Sequence, residues 1–424
     1  MMQGSKALPE NSGAPTHAPM KQFPIADGQL CIGGCRVSLL AERVGRTPFY
    51  AYDRELLRQR VASLREAMPA TLKLHYAMKA NPFAPLVSFM AALVDGIDVA
   101  SAGELQVALN AGAQAAEVSF AGPGKKATEL RQAVAAGVLV NVESMREVSL
   151  LAGIGSELGL TPRVAVRVNP DFELKGSGMK MGGGPKQFGV DVEQVADMLH
   201  RIGDAGLGFE GFHLFAGSQN LRAESICEAQ QKSFELALRL AEHATQPVHF
   251  LNLGGGFGIP YFPGERPLDL RPIGENLATL ADRSKREMPQ ASLVIELGRY
   301  LVGEAGVYVA RIIDRKVSRG QVFLVTDGGL HHHLSASGNF GQVVRKNFPV
   351  TTSPCHAREA GAVATEVASV VGPLCTPLDL LADRMELPVA KEGDFVVVFQ
   401  SGAYGASASP QAFLGHPPCA EVLV

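Results

Sequence analysis

His75-Tyr76-Ala77-Met78-Lys79-Ala80-Asn81-Pro82 is the stretch from which the fold and the chemistry of this protein are best predicted. Apolar and polar side chains alternate from residue 72 to residue 76, which indicates a short strand ending at Lys79. The Asn-Pro pair breaks the strand, and residues 84–93 then show a helical pattern. Desolvation at the end of a buried strand favours the neutral amine that attacks a carbonyl. A single lysine more often extends to solvent, so this interpretation depends on the rest of the chain.

Strand and helix patterns alternate regularly around this stretch. A strand over residues 48–52 and a helix over residues 54–68 precede it. The strands predicted for one parallel sheet are 72–76, 97–100, 118–121, 138–142, 164–168, 209–215, 250–253 and 293–296. Helical patterns lie between most of them, at 102–112, 127–136, 144–158, 192–205, 222–243 and 273–287. Strands and crossover helices in this number predict an α/β fold closed into a (β/α)8 TIM-like barrel, with an open doubly wound sheet as the main alternative.

After residue 299 the sequence pattern changes to β type. Short β runs occupy residues 307–313, 321–326, 363–371 and 394–399, without long helices between them. Residues 28–42 also have a β pattern, so an N-terminal strand is expected to join this second, all-β domain. We therefore predict the following division: a disordered leader over 1–26, a barrel over 46–300, and a β-barrel or sandwich domain from 27–45 and 301–424.

Composition and charge exclude several classes of function. The 424-residue chain is 46% hydrophobic and 19% charged, and it is long enough for two domains. Its net charge of −3, without clusters of Lys and Arg, argues against a nucleic-acid partner. No apolar run approaches the length of a membrane span, so no membrane partner is expected. Six cysteines without a CxxC pair indicate a reducing cytoplasm and no structural zinc.

Chemistry in such a barrel lies where the strands end at their C-terminal face. The predicted strand ends carry Lys79, Asp98 with Ser101 and Glu104, Arg167 with Asn169, residues 213–219, Gly254–Gly256, and the run from Glu296 to Arg299. Successive N–H groups of a glycine loop can bind phosphate, and Arg299 can add a bidentate contact. Glu296 can lie against a protonated ring nitrogen. Together these residues indicate a phosphorylated carbonyl cofactor, although each feature alone is also consistent with an ordinary turn or a structural ion pair.

A series of motifs resembles those of the fold-type III pyridoxal-phosphate (PLP) decarboxylases, the ornithine, diaminopimelate and arginine decarboxylase group. The resemblance covers almost all of residues 28–424. The matching motifs, in the order of the family, are Tyr76-Ala77-Met78-Lys79-Ala80-Asn81, Asp98-Val99-Ala100-Ser101, Gly254–Gly256, Glu296-Leu297-Gly298-Arg299, Asp327-Gly328-Gly329, Gly372-Pro373-Leu374-Cys375 and Gly402-Ala403-Tyr404-Gly405.

The resemblance implies decarboxylation at the α-carboxylate of an amino acid or amino-acid derivative. It implies that Lys79 carries PLP as a Schiff base, that Glu296 supports the ring as an electron sink, and that Cys375 reprotonates the product carbon. The cofactor-binding residues predicted in this way are Lys79, Asp98, Arg167, His213, Phe215, Ser218, Gly254, Gly255, Gly256, Glu296, Gly298, Arg299 and Tyr404. The resemblance also implies a head-to-tail homodimer in which Cys375 of one subunit completes the other's active site.

The chain departs from the family pattern at three places. Phe215 stands where the family has a histidine that stacks on the pyridine ring, so it is expected to stack without donating a proton. His213 also points inward on a strand and is the alternative. Thr376 replaces the acidic residue that binds a distal ammonium in the ornithine and diaminopimelate enzymes. We predict substrate contacts from Asp327, Arg299, Thr376, Arg345 and Tyr404, of which Asp327 could still bind such an amine.

The third departure is the segment 330–342, which replaces the Arg-Pro…Tyr segment of diaminopimelate enzymes. It looks most like decarboxylases that act on carrier-bound aminoacyl groups, or those associated with exosortase gene clusters. We therefore predict a substrate with a neutral, acidic or carrier-linked distal group, with Ser337 and Asn339 as further candidate contacts. The histidines 331–333 are not expected to bind a metal, because consecutive side chains diverge on a strand or loop.

Three other functions are alternatives to amino-acid decarboxylation of this kind. Diaminopimelate decarboxylation in lysine biosynthesis remains an alternative. An alanine racemase shares the barrel, lysine and cofactor but needs a second base, and Cys375 in its Gly-Pro frame argues against it. A non-catalytic regulator of the antizyme-inhibitor type would be expected to lose its cofactor contacts, whereas Lys79, Glu296, Arg299 and Tyr404 are all present.

Overall fold

The computed structural model of the protein describes residues 15–172, 179–180, 182–357 and 364–424. Residues 1–14 of the predicted leader and residue 363 of a predicted strand lie outside the described residues. In the part of the chain that is described, no helix has both the length and the apolar character needed to cross a membrane.

Parallel strands form a closed barrel in the first part of the chain. The strands are, in order, Lys73–Ala77, Gly96–Val99, Val118–Phe120, Leu139–Val142, Arg163–Asn169, Gly208–Leu214, Phe250–Gly255 and Ser292–Leu297. The first strand pairs with the last, and the fourth pairs with the fifth, so the sheet closes on itself. The predicted (β/α)8 barrel is confirmed, and the open doubly wound alternative is wrong.

Helices connect the barrel strands, as predicted. They are Arg54–Ala67, Ala84–Ala91, Ala102–Asn110, Ala127–Ala136, Met145–Leu158, Val195–Asp204, Ala223–Ala241 and Arg271–Glu287. Several begin at a capping side chain directly after a strand end. The hydroxyl of Ser101 accepts from Glu104 N, and that of Ser144 accepts from Glu147 N. These caps place acidic side chains at the end of the barrel where the strands terminate.

A separate mixed sheet follows the barrel. Its strands are Phe49–Tyr52, Gly306–Ser318, Gln321–Thr326, Val350–Ser353, Thr365–Val371, Leu380–Pro388, Phe395–Val398 and Ala420–Leu423. The predicted strands after residue 300 are all present. Three further strands, at 350–353, 380–388 and 420–423, were not predicted.

The N-terminal strand of this second sheet is Phe49–Tyr52, not the stretch 28–42. Gln29–Ile32 instead belongs to a small three-stranded sheet of its own, and Val37–Val44 is a helix. All four residues of Phe49–Tyr52 are buried and carry aromatic or small side chains, which suits the centre of a sheet better than the mixed pattern of residues 28–42.

Residues 15–26, which were included in the predicted leader, pack against the rest of the protein. Phe23 is 4% exposed, and its ring centre lies 5.5 Å from that of Phe399. The carbonyl of Thr16 accepts a hydrogen bond from Gly264 N at 2.9 Å. The prediction of a disordered leader is therefore wrong from residue 15 onward, because the side chain of Phe23 in this polar stretch packs into an apolar site.

Candidate active site

Lys79 lies in a short 3-10 turn, Met78–Ala80, directly after the first barrel strand. A loop of the second sheet holds this turn, because Tyr404 N donates to Ala80 O at 2.7 Å and the Asn81 side chain donates to the same loop at 2.9 Å. The backbone of the turn is therefore fixed by both parts of the molecule. The Lys79 side chain is exposed in the single chain, and the desolvation predicted for its amine stays a prediction.

Glu296 is a buried carboxylate near the end of the last barrel strand. Its Oε2 lies 3.1 Å from His213 Nε2 and accepts a hydrogen bond from Asn252 Nδ2 at 3.1 Å. Burial alone raises the pKa of Glu296, but His213, followed by Lys79 and Arg167, outweighs burial and holds that pKa well below its ordinary value. Glu296 is therefore ionised at neutral pH and can hold a positive charge placed against it.

The predicted glycine loop Gly254–Gly256 runs very close to its neighbours. A Cβ at Gly255 would overlap the carbonyl oxygen of Glu296, and a Cβ at Gly256 would overlap that of Gly217. Gly256 also has a φ of +76°, which residues other than glycine rarely adopt. Only glycine fits this backbone, so no side chain of the loop itself covers it. Gly254 N donates to Asn252 Oδ1 at 2.8 Å, and the binding of a phosphate by the other N–H groups stays a prediction.

Arg299 begins the short helix Arg299–Val302, which follows the strand that carries Glu296. Its Nη1 donates to Tyr261 OH at 3.0 Å, and its guanidinium lies 4.7 Å from the centre of the Tyr404 ring. Its Nε atom is buried and has no hydrogen-bond partner among the described residues. A buried cation with an unused donor fits the phosphate role predicted for Arg299 and Tyr404.

Phe215 follows the sixth barrel strand, and its ring centre lies 5.5 Å from Lys79 Nζ. The structure thus brings the predicted stacking residue to the lysine, while His213 contacts Glu296 instead. Ser218 lies in a short two-stranded sheet after this point. A Cβ at Gly298 would meet the Cβ of Ala80 at 2.8 Å, so this glycine lets the last strand approach the lysine turn.

Asp98 lies in a polar network inside the barrel. Its Oδ1 accepts a hydrogen bond from Ser119 Oγ at 2.5 Å and lies 3.0 Å from His75 Nδ1. Asn141 Nδ2 donates to Ser119 Oγ at 3.2 Å and extends the network to the fourth strand. Asp98 is therefore joined to residues of neighbouring strands, and its contact with a cofactor stays a prediction.

Arg167 belongs to a buried charge cluster that was not predicted. Its Nη1 lies 3.2 Å from Glu143 Oε1, and Lys125 Nζ lies 3.1 Å from Glu147 Oε1. Glu143 directly follows the fourth barrel strand, Leu139–Val142, as the predicted site residues follow theirs. That position at a strand end was the signal in the sequence that could have identified it.

Cys375 is an exposed free cysteine in the loop 372–379 of the second sheet. The carboxylate of Asp379 holds this loop, since it accepts hydrogen bonds from Leu374 N at 2.8 Å and from Leu330 N at 2.6 Å. Thr376 Oγ1 accepts from a loop N–H at 3.3 Å. The loop is thus anchored by residues of the second sheet, and the thiol is at the surface of this subunit.

Asp327 and Arg345, two of the predicted substrate residues, have partners within the chain. The carboxylate of Asp327 accepts hydrogen bonds from Thr47 Oγ1 and from Arg311 N, the latter at 2.9 Å, and burial raises its pKa. Arg345 donates from Nε, Nη1 and Nη2 to loop acceptors at 3.2, 3.0 and 2.8 Å. The carboxylate of Asp327 is therefore bound to Thr47 and Arg311 and not to Lys79.

The histidines 331–333 are buried, and the rings of His331 and His332 lie 3.8 Å apart. The expectation that consecutive side chains diverge is wrong here, because these residues lie in a turn and not in a strand. Burial lowers the pKa of His333 to about 3, and its Nε2 lies 2.8 Å from Ser401 Oγ. No cluster of three or more His, Cys, Asp or Glu able to hold a metal occurs within the described ranges.

Related proteins share this architecture. A family model for the pyridoxal binding domain of pyridoxal-dependent decarboxylases matches residues 54–303. The L-glutamyl-[BtrI acyl-carrier protein] decarboxylase of Niallia circulans is 37% identical over 380 residues, or 89% of this chain and 88% of the relative. The diaminopimelate decarboxylase of Aquifex aeolicus is 33% identical over 94% of this chain and 91% of the relative. A crystal structure of diaminopimelate decarboxylase from M. jannaschii with L-lysine has a TM-score of 0.84 at 26% identity, covering 95% of this chain and 92% of that one.

The residues at the strand ends fit pyridoxal phosphate. An amine matches its aldehyde, and an ionised buried carboxylate matches its ring nitrogen. A glycine loop and an arginine with an unused donor match its phosphate. The resemblance drawn from the motifs is confirmed, and the matched family gives no support to a racemase or a non-catalytic regulator. The chain belongs to the pyridoxal-dependent decarboxylases and is a PLP-dependent amino-acid carboxy-lyase.

Proposed function

We propose that this enzyme removes the α-carboxylate of an amino acid whose distal end is neutral, acidic or linked to a carrier. The observation that carries the proposal concerns the acids around the Cys375 loop. In the described stretches 327–357 and 372–379, the only acidic residues are Asp327 and Asp379, and both already accept hydrogen bonds at both oxygens. An ammonium buried there without a partner would cost about 3–5 kcal/mol.

The segment 330–345 supports a substrate that differs from free diamino acids. It packs against the Cys375 loop, since Asn339 Nδ2 donates to Ser337 Oγ at 2.8 Å and to Leu378 O at 3.4 Å. The name of the Niallia circulans relative states a glutamyl group on an acyl-carrier protein. A tethered glutamyl group has no distal ammonium, which agrees with Thr376 in this loop.

The central residues of the predicted site have proposed tasks. Lys79 holds pyridoxal phosphate as a Schiff base, and Arg299 with Gly254–Gly256 binds the phosphate. When bound, the cofactor supplies an electron sink for the charge left on the α-carbon after CO2 departs. Glu296 keeps a negative charge against the ring nitrogen, because His213 and its other neighbours keep it ionised. Phe215 covers one face of the ring near Lys79.

We also propose a homodimer in which Cys375 of one subunit protonates the product carbon in the other. Replacement of a carboxylate by hydrogen requires one proton at the α-carbon, and the exposed thiol in the loop 372–379 supports the proposal because a second subunit could reach it. All six cysteines are free, which supports the reducing cytoplasm as the location of the enzyme.

Substitution of Thr376 tests the proposed substrate class. Thr376→Asp restores a carboxylate for a distal ammonium and should raise kcat/KM for meso-diaminopimelate or L-ornithine at least about tenfold, because a buried ion pair replaces an unpaired charge. Thr376→Asn has nearly the same shape without the charge and should leave both values low. Equal effects of the two variants would contradict the proposal.

Diaminopimelate decarboxylation is the second candidate, since the Aquifex aeolicus relative carries that name. It would require an acid from outside the two stretches to bind the distal ammonium. Thr376→Asp would then change the turnover of meso-diaminopimelate little, because the ammonium would already be paired. The same pair of variants therefore separates the two candidates.

A further inference from the structure

A cluster of four buried charges lies at the ends of the third, fourth and fifth barrel strands. It consists of Lys125, Glu143, Glu147 and Arg167, and the side chains are 1%, 2%, 2% and 9% exposed. Buried charges are costly unless they are paired, so a cluster of this kind is retained only where its geometry serves a purpose or is fully satisfied. None of its acidic members has a role in the proposed chemistry.

Glu143 is the centre of this cluster. Its Oε1 accepts from Gly122 N at 2.6 Å and from Arg167 Nη1 at 3.2 Å, and its Oε2 accepts from Gly189 N at 2.9 Å. Lys125 Nζ lies 3.9 Å from Oε1. Burial raises the pKa of Glu143, but Arg167 and then Lys125 outweigh it and lower that pKa, so Glu143 carries a fixed negative charge.

Glu147 has a different position in the same cluster. Its Oε1 lies 3.1 Å from Lys125 Nζ, and its Oε2 accepts from Glu143 N at 2.8 Å. It makes no described contact with Arg167. Glu147 is therefore as buried as Glu143 and also faces Lys125, but it does not contact the guanidinium of Arg167. A substitution of Glu147 is for this reason a matched control.

Arg167 connects this cluster to the acid of the active site. In the parallel pairing of the fifth and sixth barrel strands, Arg167 is the register partner of His213. His213 Nε2 in turn lies 3.1 Å from Glu296 Oε2. Glu143 thus contacts the Arg167 guanidinium, and the strand register puts Arg167 next to His213, which contacts Glu296. Arg167 also helps to lower the pKa of Glu296.

We propose that Glu143 is a positioning residue, which holds the guanidinium of Arg167 beside the His213–Glu296 pair and so sets the charge that the cofactor ring meets. This inference rests on the proposed role of Glu296, but not on the identity of the substrate. In this proposal Glu143 acts through Arg167 and not by a contact of its own with substrate or cofactor. Hydrogen bonds from two backbone N–H groups fix its carboxylate, so that a single geometry is presented to Arg167.

The test follows the visible absorption band of the holoenzyme as a function of pH, in the absence of substrate. Arg167→Met removes a cation near the site and should move the midpoint of the titration to higher pH by about half a unit or more. Glu143→Gln should move the midpoint in the same direction, because Arg167 loses its anchor and leaves the site. The double variant should match Arg167→Met alone, since the two residues act as one unit.

Three results would overturn the proposal. A shift of Glu143→Gln to lower pH would mean that Arg167 stays in place and that Glu143 acts only as a neighbouring charge. A titration of Glu143→Gln equal to that of Glu147→Gln would mean that Glu143 only supports the fold. A titration of Arg167→Met equal to that of the wild type would remove the role of Arg167, and this variant decides the matter even where Glu143→Gln does not fold.

Discussion

Lys79 is the residue on which the chemistry of this enzyme depends, and its place can be tested directly. Borohydride reduction of the holoenzyme followed by peptide mapping should put the pyridoxyl group on Lys79, because its exposed amine lies near Phe215 at the strand end. Lys79→Ala should lose the visible absorption band. Lys125 serves as an internal control, since it is also at a strand end but is buried and paired. Label on Lys125 or any other lysine would contradict the assignment.

At the residue scale, the identity of the candidate site residues and the inward direction of a strand side chain were predictable from the sequence. The contacts that these side chains make were not. Alternation along the sixth barrel strand correctly predicted that His213 points into the barrel, where it contacts Glu296. The exposure of Lys79 was not predictable, because it depends on how far the surrounding loops stand apart. Glu143 was missed although it also follows a strand, since no motif drew attention to a glutamate beside a helix cap.

At the scale of elements, the glycine loop makes a prediction about packing. Gly255→Ala places a Cβ against the backbone of Glu296, so it should destabilise the fold by about 1–3 kcal/mol and weaken the binding of pyridoxal phosphate. Gly153→Ala is the control, because it lies in the helix Met145–Leu158 with nothing near its Cβ. It should be neutral or stabilising by about 0.5–1 kcal/mol. Urea unfolding and cofactor titration measure both effects, and equal results for the two variants would refute the close packing.

The buried histidine turn predicts how stability depends on pH. Burial lowers the pKa of His333 to about 3 in the folded protein, whereas an unfolded histidine titrates near about 6.5. The unfolded state therefore binds more protons below about pH 6.5, and stability is lost as the pH falls toward 3, by about 2 kcal/mol at pH 5. His333→Gln should flatten this slope in urea unfolding between pH 7 and 5. His200→Gln, at an exposed helix position, should keep the slope, and an unchanged slope in His333→Gln would contradict the prediction.

Regular elements were the most predictable level of this structure. The predicted bounds of the barrel strands and helices lie within a few residues of the observed ones, because their apolar patterns are long. Several helices also begin at a Ser or Asp capping residue. The strand Leu380–Pro388 was missed because its second half is largely polar and partly exposed. The helix Val37–Val44 was taken for β structure because it is only two turns long and has valine at both ends.

At the scale of the whole molecule, distant parts of the chain form one sheet. Phe49–Tyr52 pairs both with Gly306–Ser318 and with Ala420–Leu423, so the sheet joins the beginning and the end of the chain. The prediction that an N-terminal strand joins the second sheet is confirmed, but its identity was wrong. Pairing between segments this far apart in sequence is set by tertiary packing, which local patterns do not encode.

The proposed homodimer with shared active sites predicts recovery of activity by subunit exchange. Lys79→Ala and Cys375→Ala should each have little activity alone. Mixed under conditions that allow exchange, they should regain a fraction of the wild-type rate, because one site of each hybrid dimer has both residues intact. Lys79→Ala mixed with a Lys79→Ala, Cys375→Ala double variant is the control and should recover nothing. Proven exchange without recovery would show that each subunit works alone.

The substrate preference of the wild-type enzyme is the most direct test of the proposed function. The measurement is steady-state CO2 release from an L-glutamyl pantetheine thioester linked through the γ-carboxyl, with its α-carboxylate free, and from meso-diaminopimelate, L-lysine and L-ornithine. The glutamyl thioester should exceed the three diamino acids in kcat/KM by about 100-fold or more, as expected if each of them brings an unpaired ammonium into the site. A kcat/KM for meso-diaminopimelate near about 10⁴ M⁻¹s⁻¹ would contradict the proposal and make this protein a diaminopimelate decarboxylase.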